Sequence, residues 1–383
     1  MSSSRERIKD LQLVHVPLST GELTVGVVVR LDGGIEAWDA SPIGTTTSPN
    51  DPQNLSPEHA REPFVQLRRA LLGRPATDQE GADRTIETVL SQDIRGIIGV
   101  NLAVATSLAV CRAASARFGL PLCRYVASYL GRTDHKPTGI MSNVLGGGGH
   151  HSNALRTTEL MVISSEPPGR SVGLILDVRR RLAAALQRRG YDFSVGLEGS
   201  LVVAALDDHA ALGALQNVLG EERLSGDHLG IGLDLAGRAE SKFVDDLLSN
   251  FTQIEYVEDP YSVTEASRYR DLLHRLPELL VAGDDLIAGR VEYLGELLKR
   301  SYVNAVVIKL NHFGTLSRIA AAADLARDHN ATIVMSQRSQ ETARDTLAHL
   351  ALALGADYLK AGSPVRERIS NYSSLIAHAG ELM

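Results

Sequence analysis

In the second half of the chain three acids, Asp234, Glu258 and Asp284, recur at intervals of roughly 25 residues, and Lys309, Gln337 and Lys360 continue the series at a similar spacing. Carboxylates supplied by three separate strands make a hard, all-oxygen site that suits Mg2+ and leaves positions open for water or substrate. The chain has no cluster of Cys and His, which disfavours zinc. Glu258 and Asp284 are each followed by another acid, Asp259 and Asp285, and composition leaves open which of each pair coordinates. A lysine close to a dication has a lowered pKa, so Lys309 or Lys360 is a candidate general base near neutral pH. For one lysine at a strand end, a surface ion pair is the ordinary alternative; beside three acids it is the weaker one.

Distant residues of this kind meet only if the fold brings them together. LGIGLD, QIEYVED, ELLVAGDD, NAVVIKLN, ATIVMSQ and ADYLK are short apolar runs of strand character, each followed by a helical pattern. From about Pro137 this alternation predicts βα units around parallel strands. The polar residues stand at the carboxyl ends of the runs, which is the catalytic face of a (β/α)8 barrel. An open doubly wound sheet is the alternative, but no strand is followed by a GxGxxG turn and no helix opens on a Walker lysine. The run Gly146 to Gly149 also lacks the lysine of a phosphate loop and reads as a close-approach active-site loop.

The amino-terminal part is built differently. LQLVHVPL, LTVGVVVRL and IEAWDA, separated by turn residues, predict an antiparallel meander. Ser41 to Ser56 has no periodicity and forms a long loop, a candidate lid. Ser56-Pro57 is expected to open a helix, and helical patterns run to about Gly119. The expected organisation is an α+β capping domain over 1–136 and the barrel over 137–383.

With 383 residues, 44% hydrophobic, and a net charge of -7, the chain can bury a large core and has no general attraction for nucleic acid or anionic membrane. No stretch has the length of a membrane span and the start lacks a secretion signal, so a cytoplasmic protein acting on a small anionic substrate is expected. Cys111 and Cys123 are too few for a disulfide framework and are expected to be reduced and buried. Arg179-Arg180-Arg181 and Arg188-Arg189 read as a solvated helix face.

LGIGLDLAG, QIEYVEDPYS, LLVAGDDL, AVVIKLNHFGTL, MSQRSQET and YLKAGSPVRER resemble, in order and spacing, the successive barrel motifs of enolase. SNVLGGGGHHSNALRTTELMVI resembles its asparagine–glycine–histidine loop and VGLEGS its GDEGG motif, while NLAVATSLAVCRAASARFGLPLCRYVASYL is similar to its long apolar helix. The resemblance spans nearly the whole chain. It implies Mg2+ held by Asp234, Glu258 and Asp284, with Lys309 as the base that takes the proton α to a carboxylate. Lys360 supports that carboxylate, and Glu198 assists the leaving group, with Glu159 and His150 as its neighbours. Arg338 and Ser339 match the residues that hold the substrate phosphate. Racemases and lactonising enzymes of the same superfamily carry a KxK pair on an early strand, where this chain has Gly196-Leu197-Glu198-Gly199.

The pattern departs from enolase at several points. Gln337 replaces the histidine of SHRSGETED, Leu197 and Ser200 alter GDEGG, and Gly146 stands where enolase has asparagine. Ser41-Pro42-Ile43-Gly44-Thr45-Thr46-Thr47 replaces the lid whose serine binds a second magnesium, a role open to Ser41, Thr45, Thr46 or Thr47. An enolase-type lyase of 2-phosphoglycerate or a close phospho or phosphono analogue is the first expectation. The second is a relative in phosphonate metabolism, of the carboxyphosphoenolpyruvate synthase kind. A non-catalytic binding protein that keeps the fold is the third, and the retained Lys309 and Glu198 speak against it. A homo-oligomer is expected.

Overall fold

The computed structural model describes residues 6–45, 50–93, 96–133, 136–148, 151, 153–221 and 228–381. Three antiparallel strands, β1 (Ile8–Pro17), β2 (Leu23–Leu31) and β3 (Glu36–Ala40), form the predicted meander with β2 in the centre. The helices α1 (Arg61–Leu71), α2 (Gln79–Leu90), α3 (Val100–Phe118) and α4 (Leu122–Tyr129) follow, with a small hairpin, β4 (Ser91–Asp93) and β5 (Gly96–Ile97), between α2 and α3. The first of these begins later than expected. Residues 57–60 form a turn, in which the Ser56 hydroxyl meets His59 Nδ1 at 2.7 Å instead of capping a helix. Nearly every residue of α3 is buried, as an all-round apolar helix must be, and Gly119 ends it in the left-handed conformation.

The barrel strands are β6 (Gly139–Gly146), β7 (Glu159–Ser164), β10 (Leu229–Asp234), β11 (Ile254–Glu258), β12 (Leu280–Gly283), β13 (Ala305–Lys309), β14 (Thr332–Ser336) and β15 (Tyr358–Gly362). They close into a ring in that order through a β15–β6 pairing, and the short strands β8 (Ser194–Val195) and β9 (Leu201–Val202) attach beside β6. Outside and between them lie α5 (Pro168–Arg188), α6 (Asp208–Leu219), α7 (Ser241–Asn250), α8 (Ala266–Arg275), α9 (Val291–Lys299), α10 (Leu310–Phe313), α11 (Leu316–Asp328), α12 (Thr346–Ala353) and α13 (Ile369–His378). A barrel is therefore present, with one correction to the expectation of parallel strands: β7 runs antiparallel to both β6 and β10. Among its described residues the connection between β6 and β7 contains no helix, and a chain that makes no crossover returns in the opposite direction. Met141, Met161, Ile163, Tyr256, Ala282, Ala305, Val307 and Val334 fill the barrel interior and form a floor under its mouth.

Two buried polar hubs tie the amino-terminal part to the barrel. Arg112 of α3 reaches Asp39 Oδ2 at 2.7 Å and Asp345 Oδ1 at 2.6 Å. Asp83 of α2 accepts hydrogen bonds from Gln79, from the Ser107 hydroxyl at 2.7 Å, and from both the backbone N–H and the hydroxyl of Ser317 on α11. Burial pushes the Asp83 carboxyl up to about 6, against the opposing pull of those hydrogen bonds. Cys111 and Cys123 are buried and form no disulfide with each other. No described helix is long and apolar enough to cross a membrane.

Candidate active site

The mouth of the barrel holds a cavity of about 440 Å³ lined by Glu159, Glu198, Asp234, Asp284, Lys309, Gln337, Arg338, Ser339 and Lys360. The predicted strand ends thus converge, with Asp234, Glu258 and Lys309 as last residues of their strands and Asp284 and Gln337 one residue beyond. The antiparallel β7 contributes its first residue to the same rim. Glu159 pairs with Asp234 of β10 and with Gly146 of β6. In a closed ring of these strands β7 and β13 are equally far apart in both directions, so Glu159 and Lys309 stand on opposite sides of the mouth.

Lys360 lies at the centre of the acids, its ammonium 2.6 Å from Glu258 Oε2, 2.9 Å from Asp234 Oδ2 and 3.0 Å from Glu159 Oε2. Tyr256, two residues before Glu258 and so on the same inward face, donates its hydroxyl to Glu258 Oε2 at 2.7 Å. Lys309 pairs with Asp284 Oδ2. Burial alone would depress both lysines, but the facing carboxylates outweigh it and hold both ammonium groups above their ordinary range.

The acids respond as a crowded set. Burial, reinforced by Glu198, pushes Glu159 up to about 8, so this pair retains a proton at neutral pH. Burial followed by the charge of Asp284 raises Asp285 to about 7, and Glu258 and Asp259 are raised well above the carboxylate range by burial and neighbouring acids. Asp284 moves the other way, since Lys309 and His312 overcome its burial. A region with this excess of buried negative charge fits a divalent cation.

Two acceptor sets meet that requirement. Asp259, Asp284 and Asp285 offer oxygens within 4.8 Å of one another. Both oxygens of Asp259 are already engaged, however, accepting from the backbone N–H groups of Asp284 at 3.2 Å and Asp285 at 2.7 Å, and from Tyr269. By contrast Glu258 Oε1 and Asp284 Oδ1 are buried without a hydrogen bond, a costly state that a bound cation would relieve.

Glu198 lies on the loop joining β8 and β9 and accepts from Asn143 Nδ2 at 3.0 Å. Its backbone is held from several sides. Ser363 N–H donates to Glu198 O at 3.0 Å, Arg366 to Gly196 O at 3.2 Å and Arg179 to Gly199 O at 3.1 Å. Arg179 is therefore not part of a solvated face, whereas Arg180 and Arg181 pair with Asp177 near the surface. A Cβ on Gly362 would come within 2.1 Å of Glu198 O, so only glycine allows this loop to approach β15.

At the other end, Arg338 and Ser339 follow β14. The Thr45 N–H donates to the Ser339 hydroxyl at 2.7 Å, and Ile43 and Gln340 exchange backbone hydrogen bonds at 3.0 Å, so the amino-terminal loop lies across this end. Ser41 is buried with its hydroxyl 3.0 Å from Pro42 O and does not line the cavity. Gln337 lines it and leaves Oε1 without a partner. His150, Thr46 and Thr47 lie outside the described residues. Sequence reasoning missed Asn143, His312 and Asp51. His312 lies on α10, three residues beyond Lys309 at the end of β13, whereas Asp51 sits in a loop without periodicity and Asn143 in a strand with no polar–apolar alternation.

The family model described as the enolase C-terminal TIM barrel domain matches residues 238–383. Over nearly their whole length, curated relatives are similar to the chain. The enolase of Halobacterium salinarum is 31% identical, covering 98% of this chain and 99% of its own length. That of Archaeoglobus fulgidus is 30% identical, at 96% of each. The enolase of Metallosphaera sedula is 28% identical, at 96% and 95%.

Proposed function

The chain belongs to the enolase superfamily, and on that premise we propose that it is a Mg2+-dependent lyase that removes a proton α to a carboxylate and expels a β leaving group. The observation that carries the reading is the placement of Lys309 across the mouth from Glu159 and its partner Glu198. A base and a proton donor separated in this way can act on adjacent carbons of one small substrate.

Asp234, Glu258 and Asp284 are the proposed ligands. Glu258 Oε1 and Asp284 Oδ1 accept no hydrogen bond, which favours Glu258 over the engaged Asp259, while Asp234, which accepts from the Ala236 N–H and from Lys360, joins the set as their neighbour on the rim. These three carboxylates would hold Mg2+, which would supply positive charge to the substrate carboxylate and offset the Asp284 charge that keeps Lys309 protonated. Lys309, deprotonated, takes the α proton at its Nζ. Lys360 holds the carboxylate and keeps Glu159 close to Glu198. The proton retained by the Glu159–Glu198 pair passes to the leaving group, because the departure of hydroxide from carbon requires an acid. Asn143 orients Glu198 for that step. Arg338 and Ser339 bind the anionic group at the far end, on 2-phosphoglycerate or a close phospho or phosphono analogue.

Gln337 favours a substrate that differs from 2-phosphoglycerate at this end. An amide donates and accepts hydrogen bonds but never becomes cationic, so the pocket relies on Arg338 for charge. A relative in phosphonate metabolism, of the carboxyphosphoenolpyruvate synthase kind, is the second reading that this residue supports. The test is incubation with Mg2+ and 2-phosphoglycerate in deuterated water, following deuterium at the α carbon and formation of the enol product. Exchange with slow elimination supports a lyase adapted to another substrate, and the absence of both rejects the proposal.

A further inference from the structure

The long amino-terminal loop places an unexpected carboxylate at the arginine end of the cavity. Asp51 Oδ1 lies 3.5 Å from His312 Nε2 and Asp51 Oδ2 lies 3.8 Å from Arg338 Nη2. Its side chain is 7% exposed and lines the cavity beside Arg338. Both separations exceed the roughly 2.7–2.9 Å of a charge-assisted hydrogen bond. Oδ1 also makes no hydrogen bond. Asp51 is therefore held chiefly by charge. Burial, the largest influence, works against its ionised form, yet His312 and Arg338 keep its pKa below the ordinary carboxylate range.

Arg338 is fixed independently of Asp51. Its backbone N–H donates to Glu341 Oε1 at 2.8 Å and its carbonyl accepts from Arg368 at 3.2 Å. Gly44 crosses so near the guanidinium that a Cβ would fall 1.9 Å from Nη2. The guanidinium is itself held by a side chain other than Asp51, its Nη1 meeting His312 Nε2, in a fork geometry that suits carboxylate or phosphate.

We propose that Asp51 is a specificity-determining residue whose carboxylate occupies the anion seat of Arg338, so that a substrate's anionic group enters only by displacing it. The inference rests on the reading of Arg338 as a substrate-binding residue. A tetrahedral anion offers more acceptors at shorter range than the loosely held carboxylate, and that difference drives the exchange. Every entering anion nevertheless loses part of its binding energy to Asp51, which selects against ligands whose only strong contact is a phosphate.

The experiment is calorimetric titration of inorganic phosphate into wild type, Asp51→Asn and Asp51→Ala, with Arg338→Lys as the control that weakens the seat itself. Removing one competing charge at contact distance is expected to tighten phosphate binding by about tenfold or more in both Asp51 variants. Equal or weaker binding in both, or no phosphate binding in any of the proteins, overturns the proposal. Thermal melts of the variants show whether each is folded, and agreement of the amide with the smaller alanine separates competition from a packing defect. Deuterium exchange on 2-phosphoglycerate is followed in parallel. Tighter phosphate binding without any exchange upholds the seat and rejects the lyase reading, whereas exchange with unchanged phosphate affinity rejects the seat alone.

Discussion

Glu159, the first residue of β7, pairs across the sheet with Asp234, the last residue of β10. In a parallel strand the residue at the mouth would be the last one, so reversal of β7 is what turns a strand start into part of the site. Lys360 then bridges the two acids, at 3.0 Å from Glu159 and 2.9 Å from Asp234. This cross-strand pair links the proposed metal site to the proposed proton donor.

Metal binding depends on the oxygens that the protein leaves vacant. Asp284→Asn removes one charge and changes one donor atom in the proposed set, and it should weaken Mg2+ binding by at least about tenfold. Asp285→Asn, at the half-buried neighbour, should have a smaller effect. Calorimetric Mg2+ titration of both variants checks the ranking. The reverse order would assign the site to Asp259, Asp284 and Asp285 instead.

Much of this arrangement was legible in the sequence because a βα repeat fixes where a strand ends. Asp234, Glu258, Asp284, Lys309 and Lys360 needed only the apolar runs before them to be placed on one rim. The direction of β7 was not legible in that way, since the apolar run LMVI between Glu159 and Ser164 reads the same in either orientation. Which acid of each neighbouring pair keeps an oxygen free of hydrogen bonds was also hidden. It depends on Asp259, which adopts a φ of 40° and turns its carboxylate onto the backbone of the next strand's end. Asp51 was invisible for a different reason: its position comes from long-range contacts of a loop, not from any local period.

The domain contact at Asp83 should carry a pH signature in stability. Its folded pKa of about 6 lies above the ordinary carboxylate value of 3.8. The folded state then binds a proton that the unfolded chain releases, so this contribution is full below about pH 4 and is lost as pH rises through about 6. The size is on the order of 3 kcal/mol, at about 1.4 kcal/mol per pH unit of difference. Asp83→Asn cannot ionise, so the stability of wild type minus that of the variant should fall between pH 4 and pH 6 in denaturant titrations. A difference that rises across this interval would contradict the assignment.

In the proposed reading, Gln337 governs how well a substrate phosphate is held. Gln337→His introduces a side chain able to carry charge near Arg338, and a charge-assisted hydrogen bond contributes about 1.5–3 kcal/mol. Turnover of 2-phosphoglycerate should improve by about one to two decades in kcat/KM. Steady-state comparison with wild type and with a glycolytic enolase measures this. Wild type already equal to the glycolytic enzyme, with no gain from histidine, would mean that the substrate has not changed.

Deuterium exchange at the α carbon of 2-phosphoglycerate, followed in wild type, Lys309→Ala and Glu198→Gln, separates the roles of the two walls. Lys309→Ala is expected to lose exchange, while Glu198→Gln keeps exchange and loses elimination. Equal exchange in wild type and Lys309→Ala would contradict that division.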